Sequence, residues 1–440
     1  MRTGIAKIAF GFLVSVGAAL LTAQLAAEAL PQYDNSKHLG VGSCSSSQCH
    51  GATKAYKEGN IRRNEYRQWG QNDKHSKAYE MLLNKDSQTI ARKLGIAKAH
   101  EAPICLECHT DHVAKEQRGE KYQVSDGIAC EACHGGAERW IKSHTEPAAT
   151  HADNIARGMY RTEEPGARAK LCLSCHYGND KKFATHRIMA AGHPRLSFEL
   201  DTFTIRQEHY DIDADYRKRK TFVESVSTWA TGVVHASAEN MSLLRDAKLW
   251  SGGLFPEIAL FDCHACHHPM KDRRWAARAT TAGLPAGAVR LNDSSLVMLY
   301  AVAATVSPPE AERLLAATRS LHDATTKSRD AVAAQSRELD ALVQSLRPKI
   351  LAFRFERPAV AATRKTIVDL GARGEFRDYS GAEQAVMALD LLTFSLGQDN
   401  LLRKDIDKLF ELLKDDARYN SADFATALEQ LRKKIGEMKS

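Results

Sequence analysis

The apolar residues fall into two rhythms along the chain. Beyond about Leu291 the period is helical. Leu314, Leu321, Val332, Leu339, Leu342 and Leu346 continue one apolar stripe as far as Pro348. Ser307 ahead of "PPEAERLL" is a helix start with proline in the first turn. Phe424, Leu428, Leu431, Ile435 and Met438 share a face of the last helix, with Ser421 as its N-cap. Such stripes predict an antiparallel bundle whose core they form; a partner-binding face is the alternative use. Before Leu291 the periodicity is broken and turn residues are frequent, except that residues 222–244, "FVESVSTWATGVVHASAENMSLL", read as a helix carrying His235. The expected fold class is mainly α, with little sheet. Residues 30–275 form a compact loop-rich domain, and residues 276–440 form a cysteine-free antiparallel helical bundle.

The first residues follow neither rhythm. Arg2 and Lys7 precede the apolar run "IAFGFLVSVGAALL", and Ala27-Glu28-Ala29 fits an A-x-A cleavage site after Ala26. Residues 1–29 therefore read as a secretory signal peptide, which places the mature protein in the periplasm. The apolar run is short for a span and no second one follows, so no transmembrane span is expected in the mature chain. Composition is that of a soluble protein, 43% hydrophobic and 26% charged. The net charge of +7 is dispersed, with one dense run at residues 216–220, "YRKRK". An exported chain with a single basic run is not expected to bind nucleic acid.

Cysteine spacing changes the picture most. The ten cysteines form five pairs, Cys44/Cys49, Cys105/Cys108, Cys130/Cys133, Cys172/Cys175 and Cys263/Cys266. Each second cysteine is followed at once by a histidine: His50, His109, His134, His176 and His267. Four pairs read C-x-x-C-H, the attachment signal of c-type haem. Two thiols add across the vinyl groups of one porphyrin, and the next histidine is carried beneath the iron as its proximal ligand. Zinc sites need a second cysteine pair or a distant C/H pair per metal rather than a histidine directly after each pair, and a C-x-x-C disulfide is strained. The first pair has four intervening residues, "CSSSQCH", and a bulged loop still spans two vinyl groups. The expected cofactors are five covalently attached c-type haems, which supply the core that residues 30–275 otherwise lack.

A low-spin haem wants a second axial ligand, and thirteen histidines remain among the 18 in the chain. His193 in "AAGHPRLSFEL" and His235 on its helix are distal candidates by context. His186, His38 and His268 are weaker ones. His112 fits a hydrogen bond to a haem propionate, and His322 reads as structural or exposed. Two stretches, "DGIACEACHGGAERWIKSH" and "QWGQNDKHSKAYEML", resemble the tetrahaem c-type cytochromes that accept electrons from hydroxylamine oxidoreductase. The resemblance covers roughly residues 44–176. It implies His144, ten residues after His134, and His75, following Trp69, as distal ligands. It also implies closely packed haems and one five-coordinate haem, whose motif corresponds to Cys105–His109 here. The longer first loop, the fifth motif and the helical half have no counterpart in that family.

Three functions follow, the third being a non-redox, haem-stiffened binding scaffold with the C-terminal bundle as docking module. The first is electron transfer between redox protein partners. The alternative is a haem enzyme acting on a small nitrogen or sulfur species, a small inorganic substrate, at an open-faced haem. No motif ends in lysine in place of histidine, the mark of pentahaem nitrite reductases, and no catalytic residue can be assigned.

Overall fold

The computed structural model describes residues 29–57, 61–250, 256–268, 277–285 and 287–438. The signal peptide expected over residues 1–29 lies almost wholly outside them. Among the described residues there is no sheet, and β structure is limited to two isolated bridges, His38 with Arg118 and Phe261 with Leu291.

The first half is built of short helices joined by loops. They are α1 (Glu65–Asn72), α2 (Ala78–Met81), α3 (Lys85–Leu94), α4 (Pro103–His109), α5 (Cys130–His134), α6 (His151–Ala156), α7 (Pro165–His176), α8 (His186–Ala190), α9 (Leu200–Gln207) and α10 (Ala214–Arg219). Local chemistry starts several of them. Asn84 caps α3 through its side chain, Thr150 and Asp153 form a capping box on α6, and prolines open α4 and α7. Their apolar clusters are small, such as Leu82, Ala91, Ala99 and Leu106. That is too little to fold this half by burial alone.

The second half has long helices: α11 (Ser225–Arg245), α12 (Ser294–Val306), α13 (Pro308–Ala324), α14 (Arg329–Ala352), α15 (Arg357–Ala372), α16 (Tyr379–Ser395), α17 (Asp399–Glu411) and α18 (Ser421–Glu437). Ser307 occupies the N-cap position of α13 ahead of two prolines, as expected, without a side-chain cap bond. Two sequence expectations need adjustment. α14 runs through Pro348 to Ala352 because Ile350, 1% exposed, still packs into the core; one lost backbone bond is outweighed by that burial. The N-cap of α18 is Asn420, not Ser421, since its side chain accepts from the Ala422 N–H at 2.9 Å.

One large apolar core joins these helices, and it reaches back across residue 275. α11 packs against α14, α12 and α16 on one side and against α7 and α9 on the other. Trp229, Val234, Met241 and Leu244 of α11 belong to the same cluster as Leu260, Phe261, Leu299, Leu389 and Leu428. α11 is thus the spine between the cysteine-rich half and the bundle.

Candidate haem sites

We number the five motifs in chain order as sites 1 to 5. α4, α5 and α7 each end on a motif, so His109, His134 and His176 are their last residues. At site 5, Asp262 caps the turn Cys263–Ala265 by accepting from the His264 N–H at 2.9 Å. At site 1 the four-residue loop closes on itself. The His50 N–H donates to Cys44 O at 3.1 Å and the Gly51 N–H to Ser46 O at 2.8 Å. A side chain at Gly51 would overlap Ser45 O at 1.9 Å, so this turn needs glycine. None of the ten cysteines forms a disulfide.

Every motif histidine faces a second histidine. The ring centres are 6.4 Å apart for His50 and His144, 6.4 Å for His109 and His193, and 6.2 Å for His134 and His209. They are 6.0 Å apart for His176 and His75, and 6.2 Å for His267 and His186. An imidazole nitrogen binds a first-row metal at about 2.0–2.1 Å, with its ring centre about 1.1 Å behind, so two imidazoles on opposite sides of one metal have centres about 6.3 Å apart. The five gaps have the width that one six-coordinate iron requires. The ring planes lie within 10° at site 1 and 30° at site 5, and close to perpendicular, 78–89°, at sites 2, 3 and 4.

The other ring nitrogen is held in six of these ten histidines. Nδ1 of His50 meets Glu65 Oε2 at 3.0 Å, and Nδ1 of His75 meets Asp73 Oδ1 at 3.0 Å. Backbone oxygens take the rest: Ala78 for His109, Ile141 for His144, Pro194 for His193 and Gln207 for His209. A proton fixed on Nδ1 leaves the Nε2 lone pair for the metal. The Glu65 bond, opposed by burial, raises the pKa of His50. His134 is driven the other way, to about 3, by burial and then by His209, so its imidazole is neutral at any physiological pH.

The sites adjoin one another. The Cys44 side chain of site 1 lies beside Cys130 of site 3, and that of Cys108 of site 2 beside Cys175 of site 4. The buried Lys182 amine donates to Cys175 Sγ at 2.9 Å, to Gln32 Oε1 at 2.6 Å and to Glu107 O at 3.1 Å.

Of the histidines singled out in the sequence, His75, His144 and His193 stand in facing pairs. His235 does not. Its Nε2 is buried without a hydrogen-bond partner, next to Gly166 on α7, and burial drives its pKa to about 3. It packs between α11 and α7 instead of facing a motif histidine. His209 was not singled out and His186 ranked low, yet both face motif histidines. Site 2, expected as the open-faced one, has His193 opposite His109. His38 has both ring nitrogens occupied, by Asp111 and Pro31 O.

Residues 43–135 match the family model described as cytochrome c554 and c-prime. The matched stretch spans sites 1 and 2 and ends just past His134 of site 3. It supports a c-type cytochrome, with covalently bound haem and a role in electron transfer. No curated protein and no solved structure matches the chain. No described helix is long and apolar enough to cross a membrane.

Proposed function

We propose that the protein is a periplasmic multihaem cytochrome that carries electrons between redox protein partners through five covalently attached haems. Each haem iron supplies one reversible electron when bound. The chain's part would be to offer two imidazoles to each iron and to keep small molecules from it. Cys44 and Cys49, Cys105 and Cys108, Cys130 and Cys133, Cys172 and Cys175, and Cys263 and Cys266 would form the thioethers. The axial pairs would be His50/His144, His109/His193, His134/His209, His176/His75 and His267/His186.

The observation that carries this reading is the facing of all five motif histidines by a second histidine at 6.0–6.4 Å. A catalyst with an open face needs one motif histidine without such a partner, and His193 speaks against site 2 in that role.

Two measurements on the purified, oxidised protein test it. Alkaline pyridine spectra should count five haems per chain; four would remove the long-looped site 1. Electron paramagnetic resonance at low temperature should show low-spin signals only. They should divide into a rhombic class, from the near-parallel rings of sites 1 and 5, and a strongly anisotropic class, from the near-perpendicular rings of sites 2, 3 and 4. An axial high-spin signal that responds to nitric oxide would refute the closed coordination and favour the enzyme.

A further inference from the structure

One end of the helical half holds positive charge with nothing to balance it. Arg364 of α15 is 3% exposed, yet its Nε has no hydrogen-bond partner. Its remaining contact is a long one, Nη1 to Thr393 Oγ1 at 3.5 Å. Among the described residues no carboxylate forms an ion pair with it, and the charge that reaches it is a second arginine, Arg357. Arginine does not shed its proton to escape this situation. A buried, unpaired cation is among the least favourable groups a fold can carry.

Both arginines line one cavity of about 200 Å³, at the end of the bundle where α15, the α16–α17 turn and α18 meet. Gln398 is also in its wall, with its Oε1 buried and unpaired. Turning that amide over brings its NH2 to the same place, a donor where the acceptor finds nothing. The rest of the wall is apolar, including Leu396, Ile435 and Met438. One occupant answers all these features: a negative group for the guanidinium and the amide, with a hydrocarbon part for the wall. A guanidinium pairs best with a planar, bidentate carboxylate. With about 30 Å³ for each water-sized group, the cavity has room for a carboxylate and a chain of a few carbons.

We propose that this cavity binds a short-chain aliphatic carboxylate, held by Arg364 and Arg357 at its head and by Leu396, Ile435 and Met438 along its tail. The site lies in the cysteine-free half and is independent of the haem reading.

Isothermal titration calorimetry on the full-length haem-loaded protein tests it, with hexanoate as the probe. Hexanoate should bind the wild type, and both Arg364→Met and Arg357→Gln should weaken it at least tenfold. Arg357 is exposed, so its variant folds in any case. Arg364→Met replaces an unpaired buried cation with an apolar side chain and should keep or raise thermal stability, a result that a purely structural arginine would not give. Absence of hexanoate binding to the wild type, or wild-type affinity retained in either variant, overturns the proposal. Inorganic phosphate binding as tightly as hexanoate overturns the apolar tail, and hexylamine binding as tightly overturns the anionic head.

Discussion

Glu65 and Asp73 do at two histidines what backbone oxygens do at four others, but with a full negative charge. A carboxylate on Nδ1–H makes the imidazole a stronger donor, and a stronger donor favours the oxidised iron. Glu65→Gln keeps the side chain's size and removes that charge 3.0 Å from His50. It should raise the midpoint potential of one haem by about 30–60 mV, up to a tenfold shift in a one-electron equilibrium, and leave the other four in place. A spectroelectrochemical titration with unchanged potentials would count against Glu65 as the positioning residue of site 1. At this scale the sequence was legible wherever chemistry is local. Thiol, thiol and imidazole must lie within a few residues to grip one porphyrin, so the five motif histidines proposed as proximal ligands stand out directly. A distal histidine obeys no such spacing. His209 lies 75 residues beyond His134, in a loop with no motif, and only the fold brings the two rings together. His235 misled because an amphipathic helix position says that a side chain is buried, not what it is buried against.

Long helices were legible where one face is apolar, as in α13, α14 and α18. α12 and α16 are apolar nearly all round, with Leu296 to Leu299 buried in sequence on α12, so they lack the stripe that marks a helix. α11 was readable as a helix but not as the spine of the molecule, because nothing local states which neighbours it will have. Two glycines show how tightly this spine and the bundle close. A Cβ at Gly232 of α11 would stand 2.6 Å from Leu200 Cβ on α9, and one at Gly371 of α15 would stand 2.1 Å from Leu428 Cδ1 on α18. Gly232→Ala and Gly371→Ala should each lower stability by about 1–3 kcal/mol in denaturant titrations. Their side effects should differ. α9 ends two residues before His209, so displacing Leu200 should alter the strongly anisotropic low-spin signal of site 3. α15 and α18 carry no ligand, so Gly371→Ala should leave every haem signal as it was. A disturbed spectrum in both variants, or in neither, would contradict α9 as the element that positions His209.

Across the whole molecule, site 5 belongs to the bundle more than to its four companions. The Asp262 N–H donates to Arg290 O at 2.8 Å, the Asn292 N–H returns to Leu260 O at 2.9 Å, and the Arg290 guanidinium meets Asp262 Oδ2 at 3.0 Å. His264, inside the motif, reaches Asp416 O at 3.0 Å beside Tyr379 and Tyr419. Behind this seam lies Arg278, 2% exposed at its side chain, with Asp293 at 2.7 Å and Asp378 at 2.8 Å. Sites 1 and 3 instead adjoin each other at Cys44 and Cys130, and sites 2 and 4 at Cys108 and Cys175. Arg278→Met would strand two buried carboxylates, which costs about 3–5 kcal/mol when one partner of a buried pair is removed. The exposed cluster of Arg403 with Asp390, Asp399 and Asp407 provides the control, since Arg403→Gln should cost under about 1 kcal/mol. Native-state hydrogen exchange then separates the two groups of sites. In Arg278→Met the amides of Asp262 and Asn292 should lose protection together with the bundle. The Gly135 amide, bonded to Glu131 O at 3.0 Å in site 3, should exchange as in the wild type. Equal loss at both places would mean that the five sites unfold as one body, and that the bundle has no closer tie to the fifth than to the first.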